Sequence, residues 1–170
     1  MKYLIFGLIL SSALMLKAQH MEFSKAFLPM WDRACKYTLE VAESMPAEAY
    51  QYKPTSEINT FSEHMDHIAR NLYMLNSRYV LEKEQENKTA QKKEKEEVIA
   101  GLKSAFDYVR STLMVMTDEE LKEEVLFFSG DSFKKDRIFY LMKDHMTHHR
   151  GQAIIYLRLN GIKPPAYRGW

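Results

Sequence analysis

The sequence predicts an all-α protein built as a four-helix bundle. Four long segments carry apolar residues at three- and four-residue steps, the period of a helix that packs along one side. Six glycines and five prolines in 170 residues leave few turn signals for a many-stranded β-fold. Four helices of about 20 to 28 residues around one apolar seam are typical of a bundle. The length fits a single domain.

Residues 1–19, MKYLIFGLILSSALMLKAQ, have the pattern of a secretory signal peptide. Lys2 precedes the apolar run Tyr3–Leu16, which is shorter than the about 20 residues that a membrane-spanning helix needs. Cleavage near Ala18 would export residues 20–170 as the folded domain, to the periplasm or outside the cell. That product would have no stable membrane span. The alternative is an uncleaved N-terminal anchor.

The charge balance excludes a strongly basic nucleic-acid binder. The chain has 24 Lys and Arg residues against 23 Asp and Glu residues, a formal charge of +1. Loss of Lys2 and Lys17 with the signal leaves 22 basic and 23 acidic residues, a balance of −1. The single cysteine, Cys35, excludes an internal disulfide framework and a zinc site made of cysteines alone. Its place beside core positions predicts a buried apolar thiol.

The first helix is predicted from about Glu22 to Met45, where Pro46 ends it and a loop runs to Asn59. Thr60 and Glu63 then form a capping box that begins the second helix. The apolar stripe of that helix consists of Phe61, Met65, Ile68, Leu72, Leu75 and Tyr79.

The charged segment Glu82–Glu97 predicts a solvated turn with helix ends on either side, because its charges alternate in sign. A third helix is predicted from about Glu94 to Met116, and Thr117–Glu120 is a second capping signal for a short helix. Val125–Phe128 is expected to be an extended linker that leads into a turn at 129–131.

The fourth helix is predicted from about Phe133 to Asn160, with Gly161 as its stop signal. The tail Lys163–Trp170 is polar and aromatic, and we expect it to fold back on the bundle. The inward stripe of this helix is predicted at Ile138, Met142, His145, His149, Gln152 and Tyr156.

Five of the six histidines lie on two predicted helices. His64 and His67 are on the second helix, and the others, His145, His148 and His149, are on the fourth. His145 and His149 are four residues apart, so they share a face and can reach one metal ion. A lone inward histidine is more often a hydrogen-bonded core residue. Two facing clusters favour a metal site, because apolar side chains would pack such seams better.

Spacing leaves the third ligand open. His64 lies about 60° and His67 about 120° from the centre of the apolar face of the second helix, which mildly favours His64. Imidazole ligands without a carboxylate suit Zn²⁺, Ni²⁺, Cu²⁺ or Fe²⁺ better than Mg²⁺ or Ca²⁺. Three protein ligands leave a coordination position open for water or substrate, as in catalytic sites.

Several motifs together resemble the DinB family of metal-dependent four-helix bundles, also called DinB/YfiT-like. They are the first loop (Ser44–Pro46, Tyr50, Pro54), the second helix (Phe61–Ala69), HMTHHRGQ at His145–Gln152, and the C-terminal segment (Leu157–Pro165, Tyr167, Arg168). The resemblance covers nearly all of residues 20–170.

The resemblance implies that His67, His145 and His149 bind the metal, with His64 as a supporting or alternative ligand. It also implies an up-down-down-up bundle, a divalent transition metal such as Zn²⁺ or Ni²⁺, and a homodimer. Thiol-dependent S-transferases and a maleylpyruvate isomerase are among the relatives it points to. The family name records DNA-damage induction and does not imply nucleic-acid binding.

Two functions remain open at this point. The first is an exported metal-dependent enzyme, of hydrolase or transferase type, that acts on a small molecule. Gln152, Asp66 or Tyr156 would orient the ligands or the substrate, although they are as readily explained as ordinary polar residues of a helix. The second is a non-catalytic module that binds metal or dimerises.

Overall fold

The computed structural model describes residues 22–84 and 93–169, and this part of the chain is mostly helical. The predicted signal peptide, residues 85–92 of the charged segment and Trp170 lie outside the described residues. The main elements are α1 (Glu22–Ser44), α2 (Phe61–Leu75), α3 (Lys95–Val115), α4 (Asp118–Leu121), β1 (Glu124–Leu126), β2 (Ser132–Lys134) and α5 (Lys135–Leu159). A 3₁₀ turn (Ala47–Ala49) follows α1, and a π-helical turn (Asn76–Val80) extends α2.

The four long helices pack around one core. Both α1 and α2 pack against α3 and against α5. The side chains that fill the centre are large, as the apolar stripes predict, and the biggest fully buried ones are Trp31, Tyr50, Phe27, Phe61, Phe139, Met45, Met65, Ile68, Leu72, Leu102, Leu113 and Leu121. Burial of each aliphatic or Phe side chain stabilises the fold by about 1.5–3 kcal/mol relative to exposure. The predicted helical class is confirmed.

An aromatic group joins three of the helices near the beginning of α1. The ring of Phe27 stacks on Trp31 at 6.1 Å and meets Phe139 of α5 edge-on at 5.9 Å. Trp31 contacts the Phe106 ring of α3 edge-on and donates its indole N–H to the Phe106 carbonyl at 3.4 Å. A buried indole needs such a partner for its only polar atom.

The capping box at the start of α2 is confirmed. The Thr60 hydroxyl accepts the backbone N–H of Glu63 at 3.1 Å, and the Glu63 carboxylate accepts the Thr60 N–H at 2.8 Å. The same arrangement of Thr117 and Glu120 begins α4. These bonds satisfy backbone donors that have no partner inside a helix. They also fix where α2 begins, and with it the position of each α2 histidine.

The segment before α5 differs from the prediction. Val125 pairs with Phe133 in an antiparallel hairpin, whereas an unpaired linker was expected. The turn is where the sequence placed it, and Gly130 adopts the positive φ of 89° that such a turn requires. Because Phe133 and Lys134 belong to β2, α5 begins two residues later than predicted, at Lys135.

The C-terminal tail folds back on α1, as predicted. Arg168 Nε lies 2.6 Å from a Glu40 carboxylate oxygen, and the Tyr167 ring meets Tyr37 edge-on at 6.1 Å. Cys35 is buried in α1, also as predicted, and its burial raises the pKa of the thiol. The sulfur is therefore a core group and not an activated nucleophile.

Replacement of Thr60 by Ala tests the cap that positions α2. We expect Thr60→Ala to lower the free energy of unfolding by about 1 kcal/mol, because Glu63 N–H loses its acceptor. Urea denaturation measures the change. Thr55→Ala, at an exposed loop position, is the control and should stay within about 0.5 kcal/mol of wild type. Equal effects of the two substitutions would contradict the role of the cap.

Candidate metal centre

The candidate metal centre lies where α2 and α5 face each other. The second-helix histidines, His64 and His67, lie in the first two turns of α2, directly after the cap. The α5 histidines lie near the middle of that helix. The side chains of His67, His145 and His149 are partly exposed, so the group they form lies at the edge of the core and within reach of solvent.

The Nε2 atoms of three imidazoles converge on one point. His145 Nε2 lies 3.3 Å from His67 Nε2 and 3.1 Å from His149 Nε2, and one ligand atom from each ring lies within 4.8 Å of the others. Three nitrogens bound to one Zn²⁺ in a tetrahedral site, at Zn–N distances of about 2.0–2.1 Å, are separated by about 3.3 Å. The group therefore has the dimensions of a three-histidine metal site.

These imidazoles are neutral at physiological pH. Burial, together with the positive charge that the neighbouring imidazoles would carry, lowers the pKa of His145 to about 4 and that of His149 to about 3. Burial also lowers the pKa of His67, with a further contribution from the positive charge of Arg70. A neutral imidazole has the free lone pair that a metal ion requires. The three residues thus fit a divalent transition metal.

The Nδ1 atoms of His145 and His149 are buried and have no hydrogen-bonding partner among the described residues. When an imidazole binds a metal through Nε2, Nδ1 carries the ring proton. In metal sites a carboxylate or carbonyl commonly accepts that proton. Within the described chain, no such acceptor orients these two rings, which are held by their contacts with each other and with His67.

His64 lies between α2 and α5 as well, but its ring nitrogen is not one of the three that converge. Its Nε2 lies 2.9 Å from the backbone carbonyl oxygen of His149. Because a carbonyl only accepts, His64 Nε2 must carry a proton and donate it, so this nitrogen is not free for a metal. The His64 ring is also stacked against Tyr156 at 5.7 Å. His64 therefore connects α2 to the part of α5 that carries His149.

The chain matches one protein family and several solved structures. The model of the DinB family matches residues 15–169. The chain belongs to the DinB family. A DinB-like protein from Bacillus cereus ATCC 10987 is 20% identical, with a TM-score of 0.75, and the match covers 88% of this chain and 98% of that protein. A DinB-like protein from Bacillus subtilis is also 20% identical, with a TM-score of 0.66 and coverage of 84% and 97%. No curated protein matches the sequence.

Spacing mildly favoured His64 as the third ligand, but the ring nitrogen that lies with those of His145 and His149 belongs to His67 and not to His64. The centre of the apolar face of α2 points into the core, and His64 follows it closely enough to be 6% exposed. The histidine group of this DinB protein lies beside the core, so the more peripheral His67 reaches it. The motif resemblance indicated His67, and the structure brings His67 together with His145 and His149; that they bind a metal stays a prediction.

Gln152 and Asp66 do not contact the three rings through any hydrogen bond of the described residues. The Gln152 amide is exposed and lies 3.0 Å from His148 Nε2. Asp66 is 2% exposed and pairs with Arg70 and Lys93. Their predicted role in orienting the ligands is therefore not supported by direct contacts.

Tyr156 contributes indirectly. Its hydroxyl donates to the Asn59 carbonyl at 2.8 Å, just before the α2 cap. Its ring lies against His64. Tyr156 therefore holds the beginning of α2 against α5, on which the position of His67 depends.

The buried stripe of α5 differs from the predicted one. Ile138, Met142 and Tyr156 are buried as expected, but the stripe continues between them through Met146 and Ala153. The histidines lie to one side of it, and Gln152 faces solvent. A helix packed against two neighbours has a wide buried face, so steps of three and four alone do not locate its centre.

Sequence reasoning missed three cations. Arg150, 7% exposed, donates to the Ala34 carbonyl at 3.1 Å and the Thr38 hydroxyl at 3.2 Å. These neutral acceptors satisfy hydrogen-bond donors of the buried guanidinium. Arg70 and Lys93 surround Asp66. The spacing of Asp66 and Arg70, four apart on one helix, is the signal that could have revealed that pair.

Acid should destabilise the metal-free protein through these histidines. Below the ordinary histidine pKa of 6.5 the histidines of the unfolded chain take up protons. In the folded protein His145 stays unprotonated until about pH 4 and His149 until about pH 3. The stability they contribute is therefore present above pH 6.5 and falls as the pH drops towards 4. Urea denaturation of the metal-free protein at pH 7.5 and 5 measures this loss.

The doubly substituted variant His145→Gln/His149→Gln should lose less stability between the two pH values than wild type. His148→Gln, at an exposed neighbouring position, should behave like wild type. An equal loss in wild type and the double variant would show that these two imidazoles do not resist protonation.

Proposed function

We propose that this DinB-family protein is an exported, metal-dependent enzyme of hydrolase or transferase type, with a divalent ion, Zn²⁺ or Ni²⁺, held by His67, His145 and His149. The convergence of the three Nε2 atoms within reach of solvent carries the proposal. A metal site that serves only stability is usually closed by four protein ligands, whereas three leave a position for a reactant.

In this proposal the side chains between α2 and α5 have separate roles. The three neutral imidazoles supply the lone pairs, and the absence of a carboxylate among them leaves the full charge of the ion available. His64 and Tyr156 keep α2 and α5 in register. An ion bound there supplies Lewis acidity to a coordinated water or substrate. The exposed edge of the group admits a small molecule from solvent.

Metal content is the direct test. We expect protein purified from cells to contain close to one equivalent of a transition metal, and His67→Ala/His145→Ala/His149→Ala to contain none, by elemental analysis. Bound metal should also raise the melting temperature of wild type alone, because a ligand that binds the folded state stabilises it.

His148→Ala is the matched control, because it removes a neighbouring α5 histidine whose side chain is exposed. It should retain the metal. A metal-free wild-type protein that also fails to bind added Zn²⁺ or Ni²⁺ would contradict the proposal.

Export is the second part of the proposal. It is supported by the sequence alone: Lys2, the apolar run Tyr3–Leu16 and the small residue Ala18. In the described residues, no helix has the length and apolarity that a membrane span requires. Expression of the full chain in a bacterium, with mass measurement of the product, should find a protein outside the cytoplasm that begins near residue 20. A full-length product in the cytoplasm would contradict export.

We also propose the up-down-down-up arrangement of α1, α2, α3 and α5. Early residues of α1 contact early residues of α5, and later ones contact later ones, which supports parallel helices. Along the contact between α2 and α3 the residue numbers also increase together, which supports parallel helices. Along the contact between α2 and α5 the numbers increase on one helix as they decrease on the other, which supports antiparallel helices. The supporting pairs are Phe23 with Phe139, Thr38 with Arg150, Ser62 with Lys93, Ser77 with Tyr108, His64 with His149 and His67 with His145.

A homodimer is proposed from the family resemblance alone. Light scattering of the purified protein tests it, and a monomer at micromolar concentration would contradict it.

A further inference from the structure

Two cations share one carboxylate beside the candidate metal centre. Asp66, only 2% exposed, accepts Arg70 Nε at 2.8 Å and Lys93 Nζ at 2.6 Å. The group of these three residues, Asp66, Arg70 and Lys93, has a net charge of +1. A buried carboxylate between two cations stays ionised and holds both of them in place.

Arg70 is the member of this group that can reach the site. It lies three residues after His67 on α2, and residues at this spacing are neighbours on a helix surface, with Cβ atoms about 5–6 Å apart. Its positive charge is close enough to His67 to lower the pKa of that imidazole. Its side chain is 32% exposed, so a ligand can reach it from solvent.

The end of the Arg70 side chain remains available. Asp66 engages only Nε. Neither of the two terminal Nη atoms makes a hydrogen bond to residues 22–84 or 93–169. These two atoms form a planar fork with the spacing of the two oxygens of a carboxylate. The guanidinium is thus oriented from one side by Asp66 and open on the other.

Two acidic side chains close to these residues in sequence have partners of their own. The Glu63 carboxylate accepts the Thr60 backbone N–H in the α2 cap. Asp144, next to His145, pairs with Lys143 at 2.9 Å. The three candidate ligands are neutral, so a bound divalent ion would add two further positive charges. The open side of the site is therefore complementary to an anion.

We propose that the metal centre takes a small carboxylate-bearing molecule, whose carboxylate pairs with the Nη atoms of Arg70. This inference depends on the proposed metal site and names the class of molecule that the site accepts. Arg70 acts here as a specificity-determining residue, because it selects charge next to the metal. A neutral molecule of the same shape would gain nothing from the guanidinium and would leave it unpaired.

The test uses Co²⁺-loaded protein, because the visible absorption of Co²⁺ changes when a ligand joins its coordination. Sodium acetate is titrated against wild type, Arg70→Gln, Arg70→Lys and Arg33→Gln. Acetamide serves as the neutral probe of the same shape. Arg33 is an exposed residue of α1, so its replacement removes the same charge away from the site. Metal content is measured in every sample.

We expect Arg70→Gln to weaken acetate binding about tenfold or more and to leave acetamide unaffected. Arg70→Lys should fall between this variant and wild type, since it keeps the charge and loses the fork. Arg33→Gln should match wild type. The Asp66–Lys93 pair remains in each variant, so the melting temperatures should show that the fold is kept.

Equal acetate affinity in wild type and Arg70→Gln, at equal metal content, would overturn the inference and leave the metal site standing. Equal weakening for acetate and acetamide would also overturn it, because a structural defect and not charge recognition would then be the cause. Absence of bound metal from wild type would overturn both this inference and the proposed function.

Discussion

The contact between α2 and α5 is the constraint on which the candidate site depends. Three imidazoles must meet at hydrogen-bonding distance although they come from helices about 80 residues apart in sequence, the His67–His145 separation being 78. The His64–His149 bond and the Tyr156–Asn59 bond join the same two helices on one side of the group. The cap at Thr60 fixes where α2 begins. A shift of one residue would rotate His67 by about 100° and separate it from the α5 pair.

Desolvation keeps the three imidazoles of the candidate metal centre neutral. Burial lowers the pKa of all three imidazoles, and for His145 and His149 the neighbouring imidazoles contribute to the lowering, so the site resists protonation and offers three lone pairs. A divalent metal ion could bind all three lone pairs at once. In the proposal made above, the positive charge of Arg70, held in place by the buried Asp66, selects an anionic ligand for this site.

The helices were predictable from the sequence because their signals are local. Periodic apolar residues gave the four long helices, and Thr-x-x-Glu patterns gave the starts of α2 and α4. The strand pairing of Val125 with Phe133 was not predictable, because three-residue strands have no period to read and are defined by pairing. For the same reason, the start of α5 was predicted two residues too early, inside β2.

The candidate site was predictable in part. The spacing of His145 and His149 is a property of one helix, whereas the choice between His64 and His67 depends on how α2 is rotated against α5. Only the motif resemblance indicated His67. The buried Arg150 and the Asp66 group depend on neighbours from other segments, Ala34, Thr38 and Lys93, so periodicity could not assign their partners.

X-ray absorption spectroscopy of the metal-loaded protein tests the central claim most directly. If His67, His145 and His149 bind one ion, the spectrum of the Zn²⁺ form should show three imidazole nitrogens at about 2.0–2.1 Å together with at least one further light ligand. The imidazole pattern should be lost or reduced in His67→Ala. A spectrum with fewer than three imidazoles, or one unchanged in that variant, would contradict the account.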